Sequence, residues 1–294
     1  MHRWLACLAF LGLTGLILSA APAGAAAPTS AQTSPPASSA TRPGTFSRGA
    51  PAPADRSAQR TDPNSQLAHQ QLLAKKTQGK IDIYFEGDSI VRRWGATDYP
   101  QYLANWKENF FGWNAADFGW GADQVQNILW RLENGELDEV NPRIIVLLAG
   151  TNNVPGASTD EDVANIVRGM EAVVNLCRAK APDAVIIITG IFPRNNNARM
   201  NAIIGKVNEN FAKIADGKRI RYLNINDKLA DKDGTLHPGV MNSDNLHPDT
   251  KGYQAWADAL KPIFTEILGP PAREDHAPPP TGDPGAAGRG NQPQ

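Results

Sequence analysis

Cysteine is scarce in this chain of 294 residues, which contains only Cys7 and Cys177. Cys7 lies in the N-terminal apolar run, so export with cleavage would leave a single thiol and no internal disulfide. The pattern VVNLCRAK places Cys177 among apolar helix positions, which predicts a buried, unreactive thiol. Zinc-site spacing of cysteine and histidine is absent as well.

An excess of either charge is also lacking, because the net charge is −1 and no basic run occurs. Proteins that bind nucleic acid or anionic membranes usually carry clustered Lys and Arg. Neither is therefore a predicted partner. No internal repeat is visible, which argues against a solenoid or a propeller.

The N-terminal segment has Arg3, an apolar run from Trp4 to Ala20, and then small residues. With an Ala-x-Ala site at 23–25, this pattern predicts a signal peptide over residues 1–25. The protein would then be secreted, or located in the periplasm or cell envelope, without stable membrane insertion. An uncleaved membrane anchor is the alternative, because the run approaches the length that spans a bilayer.

Two segments are rich in Pro and small residues and nearly free of large apolar ones, namely 26–64 and 271–294. Such segments bury too little surface to offset the entropy lost on ordering. We predict a disordered linker and a disordered tail. The remaining residues, 65–270, are enough for one domain with a full core.

Apolar runs alternate with helical patterns throughout this domain. Five runs predict strands: IDIYFEG, NAADFG, RIIVLLAG, AVIIITG and IRYLNI. Runs of Val, Ile and Leu without polar alternation are typical of strands covered on both faces. Their interleaving with helices predicts the α/β class, a three-layer α/β/α sandwich with about five parallel strands.

Polar residues cluster where these strands end, the edge at which open parallel sheets bind ligands. The clusters are GDS at 87–89, GWGAD at 119–123 and GTNN at 150–153, and SDNLHP at 243–248 precedes the last helix. Each has an ordinary structural explanation. Ser89 would cap a helix, Asn152 would form a turn, and His247 before Pro248 would start a helix.

Together these clusters supply what acyl transfer requires. His247 can take the proton of the Ser89 hydroxyl, and Asp244, three residues earlier, can orient the imidazole. The backbone N–H of Ser89, one from the GWGAD loop, and the side-chain amide of Asn152 can bind an oxyanion. A second His-Pro occurs at His237, with Asp233 four residues before it. We favour His247, because we expect it to open the last helix.

This chain resembles the SGNH, or GDSL-type, hydrolases over roughly residues 81–268. The family's four conserved sequence blocks occur here in the same order, as EGDSIV, GWGAD, GTNN and DNLHP. The segments ending in GTNN and IFPR are similar to those of the platelet-activating factor acetylhydrolase Ib catalytic subunits and their bacterial relatives. The resemblance implies a flavodoxin-like fold and an esterase without metal or cofactor. By analogy with the acetylhydrolase subunits, it also allows a homodimer.

Carried over by position, the resemblance makes Ser89 the nucleophile, Asp244 the orienting acid, His247 the base and Asn152 an oxyanion donor. One block departs from the family pattern. Ala122 stands where the family has glycine, with Gly121 one step earlier, so the inward-pointing N–H is left open between them. A backbone N–H survives this change provided that the residue does not need a positive φ.

The resulting hypothesis is a secreted serine esterase that removes a short acyl group, in particular acetyl, from a carbohydrate or another small ester. Trp94 and Trp120 could form an aromatic wall for substrate, although core packing explains them equally well. Asp88 and Asn153 are further candidate substrate contacts. The alternatives are a lysophospholipase or thioesterase acting on lipids, and a catalytically silent carbohydrate-binding module.

Overall fold

A computed structural model describes residues 52–194 and 197–286. The predicted signal peptide, most of the predicted linker and the end of the tail lie outside the described residues. Within the described ranges, no helix is both long and apolar enough to cross a membrane.

Five parallel strands form one sheet in the order β2-β1-β3-β4-β5. They are β1 (Ile83–Gly87), β2 (Ala115–Asp117), β3 (Ile144–Leu148), β4 (Val185–Thr189) and β5 (Ile220–Leu223). All five strands lie within the runs that predict them. The α/β prediction and its parallel sheet are therefore confirmed.

Eight α-helices connect and flank the strands within the described residues. They are α1 (Pro63–Lys75), α2 (Ser89–Gly95), α3 (Pro100–Phe110), α4 (Val125–Glu133), α5 (Asp160–Lys180), α6 (Ala198–Ile214), α7 (Asn226–Leu229) and α8 (Thr250–Leu268). A short 3₁₀ helix, Val154–Gly156, follows β3. Helix α1 begins with a cap, in which the Asp62 side chain accepts from the N–H of Ser65, and with Pro63.

The sheet separates two apolar layers, because successive side chains of a strand point to opposite faces. In β1, Ile83 and Phe85 pack into the layer formed by α2, α3 and α8, and Tyr84 packs into the layer formed by α1, α4, α5 and α6. Both faces of the central strands are thus covered. This confirms the three-layer α/β/α sandwich.

The part of the predicted linker that the structure describes is packed against the domain, contrary to the predicted disorder. Ala54 is fully buried, and its N–H donates to Asn165 Oδ1 at 2.9 Å. Asn127 Nδ2 donates to the carbonyl of Ala58 at 2.8 Å. Small residues can pack here because neighbouring helices supply the apolar surface and the polar partners that this segment lacks.

Residues 271–286 also pack on the domain, so the predicted boundary at 270 is too early. The N–H of Lys80 donates to His276 O at 2.7 Å, and the N–H of Thr97 donates to Thr281 O at 3.0 Å. Asn64 Nδ2 donates to Asp283 Oδ1 at 2.9 Å. A proline-rich segment that buries little apolar surface is held here by hydrogen bonds to turns of the domain.

Candidate active site

The loops after β1, β2 and β3 meet at one edge of the sheet. Gly87, the last residue of β1, pairs with Leu148, the last residue of β3. The N–H of Trp120 donates to the Gly87 carbonyl at 3.0 Å, which fixes the GWGAD loop beside β1. A Cβ on Gly119 would lie 2.4 Å from Arg92 N, so glycine permits this close approach to α2.

Ser89 is the first residue of α2, and Asp88 caps this helix. Asp88 Oδ1 accepts from the N–H of Ile90 at 2.9 Å. The explanation of Ser89 as the N-cap is therefore wrong, and its hydroxyl is not used by the helix. Ser89 Oγ instead lies 2.7 Å from His247 Nε2.

The His247 ring is held between Ser89 and Asp244. Its Nδ1 lies 2.7 Å from Asp244 Oδ2, and Asp244 Oδ1 accepts the N–H groups of Leu246 and His247, each at 2.9 Å. The turn thus fixes its own carboxylate. Helix α8 begins later than expected, at Thr250 with Asp249 as its cap, so His247 precedes the helix rather than opening it.

The protonation of this pair suits a base and an orienting acid. Burial raises the pKa of Asp244, but hydrogen bonds from His247 and Leu246 outweigh it and hold that pKa below its ordinary value. Burial lowers the pKa of His247, and the positive charges of Arg93 and Arg194 lower it further. Asp244 raises this pKa but does not outweigh the other effects. Near pH 7 the carboxylate is charged and only accepts, so Nδ1 carries the proton and Nε2 accepts from Ser89.

His237 has a different environment. Its ring nitrogens lie 3.2 Å from the carbonyl of Lys228 and 3.2 Å from Asp231 Oδ1. Asp233 does not orient this ring, because its Oδ1 accepts from the N–H of Thr235 within its own turn. The choice of His247 over His237 agrees with these contacts.

Asn152 lies on the loop after β3 and is tied to the GWGAD loop. Its side-chain Nδ2 donates to the backbone carbonyl of Asp123 at 2.9 Å. Its backbone carbonyl accepts from Gln124 Nε2 at 3.1 Å. The first contact identifies the amide nitrogen and uses one of its two N–H groups. The second N–H remains available to another acceptor.

Ala122 has a φ of +64°, in the left-handed region. The condition under which alanine replaces glycine freely is therefore not met, and the side chain adds backbone strain. Ala122 is exposed, and a Cβ on Gly121 would meet no atom within 4 Å. In the described chain, no hydrogen bond uses the N–H of Gly121 or Ala122, so the choice between them stays open.

Four further residues were predicted as substrate contacts, and the structure corrects this. Trp94 is fully buried and stacks on Tyr253 and Trp256, with ring centroids 4.9 and 5.0 Å away. Trp120 is 7% exposed, and its Nε1 donates to Ser65 Oγ in α1. Both tryptophans are large apolar side chains that complete the packing around α2, so the predicted aromatic wall is wrong.

The two polar candidates also serve the fold. Asp88 is fully buried, and burial raises its pKa to about 7. The Asn153 amide accepts from the N–H of Val125 and donates to Gln126 Oε1, each at 3.1 Å, which caps α4. Asp88 is closed to substrate, and Asn153 has both ends of its amide engaged.

Several charged residues around the site were missed by the sequence analysis. Arg131 of α4 is buried beneath the GWGAD loop, where it pairs with Glu86, Asp123 and Glu136. Arg93 Nη1 lies 3.4 Å from Asp244 Oδ2, and Arg194 is buried beside the GTNN loop. An arginine among the apolar positions of a helix was a signal for Arg131, and IFPR was one for Arg194.

Comparison with known proteins places this arrangement in a family. The model of the GDSL-like lipase/acylhydrolase family matches residues 85–255. Platelet-activating factor acetylhydrolase IB subunit alpha1 of Homo sapiens is 31% identical over 208 residues, covering 68% of this chain and 82% of that protein. Subunit alpha2 of Mus musculus is 33% identical over 195 residues, or 64% of this chain and 77% of that protein.

Two solved structures share the fold. A GDSL-like lipase from Bacteroides thetaiotaomicron has a TM-score of 0.52 at 18% identity and covers 68% of this chain and 98% of its own. A member of the lipolytic G-D-S-L family from Veillonella parvula has a TM-score of 0.53 at 19% identity. The match covers 64% of this chain and 100% of that one. The sequence matches carry the assignment, and the chain belongs to the GDSL-like lipase/acylhydrolase family.

Proposed function

We propose that the protein is a serine esterase, with Ser89 as nucleophile, His247 as base and Asp244 as orienting acid. The observation that carries the proposal is the continuous hydrogen-bonded series from Ser89 Oγ through the His247 ring to Asp244. Membership of a hydrolase family supports it independently. A binding module would have no need of an imidazole held by both nitrogens between a serine and a carboxylate.

In the first half-reaction, Ser89 Oγ attacks the ester carbonyl carbon as its proton moves to His247 Nε2. Asp244 stabilises the imidazolium that forms. The tetrahedral intermediate then breaks its bond to the alcohol oxygen, which takes the proton from Nε2 and leaves. In the second half-reaction, water loses a proton to Nε2 and attacks the acyl carbon on Ser89. The bond from this carbon to Ser89 Oγ then breaks, and Oγ takes the proton back from Nε2, which releases the carboxylic acid and restores the serine.

The oxyanion of each tetrahedral intermediate would be bound by the N–H of Ser89, by the second Nδ2 hydrogen of Asn152, and by the N–H of Gly121 or Ala122. These groups come from the loops after β1, β3 and β2, which share one edge of the sheet. Loss of one such donor typically costs about 2.7–4 kcal/mol in the barrier. Fixed donors of this kind need no reorganisation during the reaction.

We infer that the acyl group is short, in particular acetyl. The support is the sequence similarity to proteins named acetylhydrolases, which cover two thirds of this chain. The proposal does not extend to the alcohol part of the substrate, because neither Trp94 nor Trp120 offers a sugar-binding face. From the N-terminal sequence alone, we propose that the enzyme acts outside the cytoplasm.

The test is hydrolysis of p-nitrophenyl acetate and p-nitrophenyl octanoate by the full chain. We expect acetate to be the better substrate and Ser89→Ala to lower kcat by roughly 10⁴-fold or more. Ser243→Ala is the matched control, because it removes an exposed hydroxyl next to Asp244. Equal turnover by Ser89→Ala would refute the serine mechanism, whereas faster cleavage of octanoate would refute only the short acyl group.

A further inference from the structure

Arg194 follows β4 at the same edge of the sheet as Ser89 and Asn152. Arg194 is buried, with 8% of the residue exposed. Its Nη1 donates to the carbonyl of Thr151 at 2.9 Å. Thr151 directly precedes Asn152, so this contact acts on the backbone that carries the proposed oxyanion donor.

Among residues 52–194 and 197–286, no carboxylate forms an ion pair within 4 Å of Arg194, and its Nε is buried without a hydrogen-bond partner. Burial lowers the pKa of its guanidinium, and the nearby carboxylates of Asp88 and Asp244 offset this only in part. A buried guanidinium with so few partners costs considerable free energy. Groups held at such a cost are concentrated at functional sites.

The Asn152 loop is held from two sides. On one side, Gln124 Nε2 donates to the Asn152 carbonyl, and Asn152 Nδ2 donates to Asp123 O. On the other side, the contact from Arg194 to Thr151 links the loop to the segment that follows β4. Because oxyanion donors act only over hydrogen-bond distances, a small shift of this loop removes the donor from its acceptor.

We propose that Arg194 is a positioning residue of the active site, which fixes the Asn152 donor through the Thr151 carbonyl and adds positive charge behind His247. This inference rests on the proposed esterase function. The charged groups that face His247 are Asp244 of its own loop, Arg93 of α2 and Arg194 after β4. Of these, Arg194 alone also binds the oxyanion loop.

The positive charge has a measurable consequence. Arg194 favours the neutral imidazole and so helps to lower the pKa of His247. Its removal raises that pKa, and the base then becomes protonated at a higher pH. The acid limb of kcat/KM, which reports the base of the free enzyme, therefore moves to higher pH.

The experiment measures kcat, KM and the pH profile of kcat/KM on p-nitrophenyl acetate for full-chain Arg194→Met and Arg194→Lys. We expect Arg194→Met to lower kcat by about 10- to 100-fold with little change in KM, and to shift the acid limb upward. Arg194→Lys keeps the charge but not the guanidinium, so it retains the wild-type acid limb and recovers kcat in part. Arg199→Met, at an exposed position in α6, should behave as wild type.

Wild-type kcat and an unshifted acid limb in a folded Arg194→Met variant would overturn the inference. A loss of kcat without any shift of the limb would overturn the electrostatic role and leave a purely structural one. If Arg194→Met does not fold, Arg194→Lys decides, because full wild-type kcat in that variant contradicts positioning by the guanidinium. A wild-type enzyme without Ser89-dependent turnover would instead refute the proposed function itself, and this inference with it.

Discussion

Two His-Pro segments of this chain have nearly the same local sequence and different surroundings. The His247 side chain is 8% exposed, and its two ring nitrogens contact Asp244 and Ser89. The His237 side chain is 31% exposed, and its ring contacts Asp231 and a backbone carbonyl of α7. In each segment an aspartate precedes the histidine by a few residues, so the local pattern does not separate them.

The difference comes from where each segment is anchored. The N–H of Asp249 donates to the carbonyl of Val240, and the N–H of Asn242 donates to the carbonyl of His247, which closes the loop before α8. Helix α8 then packs Trp256 and Phe264 against the sheet. The loop that carries His247 is fixed by its hydrogen bonds and by the packed helix α8. This rigidity matters because catalytic geometry tolerates little displacement.

Replacing each histidine with alanine should give the largest difference in kcat between the two segments. We expect His247→Ala to lower kcat on p-nitrophenyl acetate by roughly 10⁴-fold or more, since no other side chain in the described ranges contacts Ser89 Oγ. His237→Ala should remain within about twofold of wild type, because the His237 ring contacts Asp231 and Lys228 and not Ser89. The reverse order would identify His237 as the base and contradict the account.

The two aspartates that contact these rings give a second, smaller contrast. Asp244→Asn removes the charge that stabilises the imidazolium and favours the wrong tautomer, so we expect kcat to fall by about 10²- to 10⁴-fold. Asp231→Asn is the matched control and should leave kcat unchanged. If the two variants kept equal activity, the contact between Asp244 and His247 would have no catalytic role.

The test with the smallest expected effect concerns the GWGAD loop, where Ala122 has a φ of +64°. Ala122→Gly keeps the N–H and relieves the strain, so we expect a gain of about 0.5–1 kcal/mol in the free energy of unfolding in urea. Ala215→Gly, at a φ of −69°, should instead lose stability. A loss in Ala122→Gly would show that the left-handed backbone costs nothing here.

Much of the fold could be predicted from the sequence because the strong signals are local. The apolar runs of the five strands and the polar residues at their ends are both continuous in sequence. Parallel topology then brings the strand ends to one edge of the sheet, so Ser89 and Asn152 could be grouped from the sequence. The Asp244–His247 loop follows no strand and was added because acyl transfer needs a base and an orienting acid.

The errors concern contacts between residues that are distant in sequence. Composition predicted disorder around Ala54 and His276, yet both bind backbone or side-chain groups of the domain. Trp94 was placed near substrate because it follows Ser89 by five residues, but one and a half turns of helix direct it into the core. The contact of Arg194 with Thr151 joins two separate loops, so no local pattern in the sequence predicts it.

Activation of Ser89 as a nucleophile by His247 can be tested by covalent labelling. Diethyl p-nitrophenyl phosphate reacts with activated serines, and mass spectrometry of the intact protein and its peptides locates the diethylphosphoryl group. We expect one such group, on Ser89, in the wild type and in His237→Ala, and none in Ser89→Ala or His247→Ala. Equal labelling of Ser89→Ala, or labelling of the wild type at another residue, would contradict the assignment of Ser89 as the nucleophile.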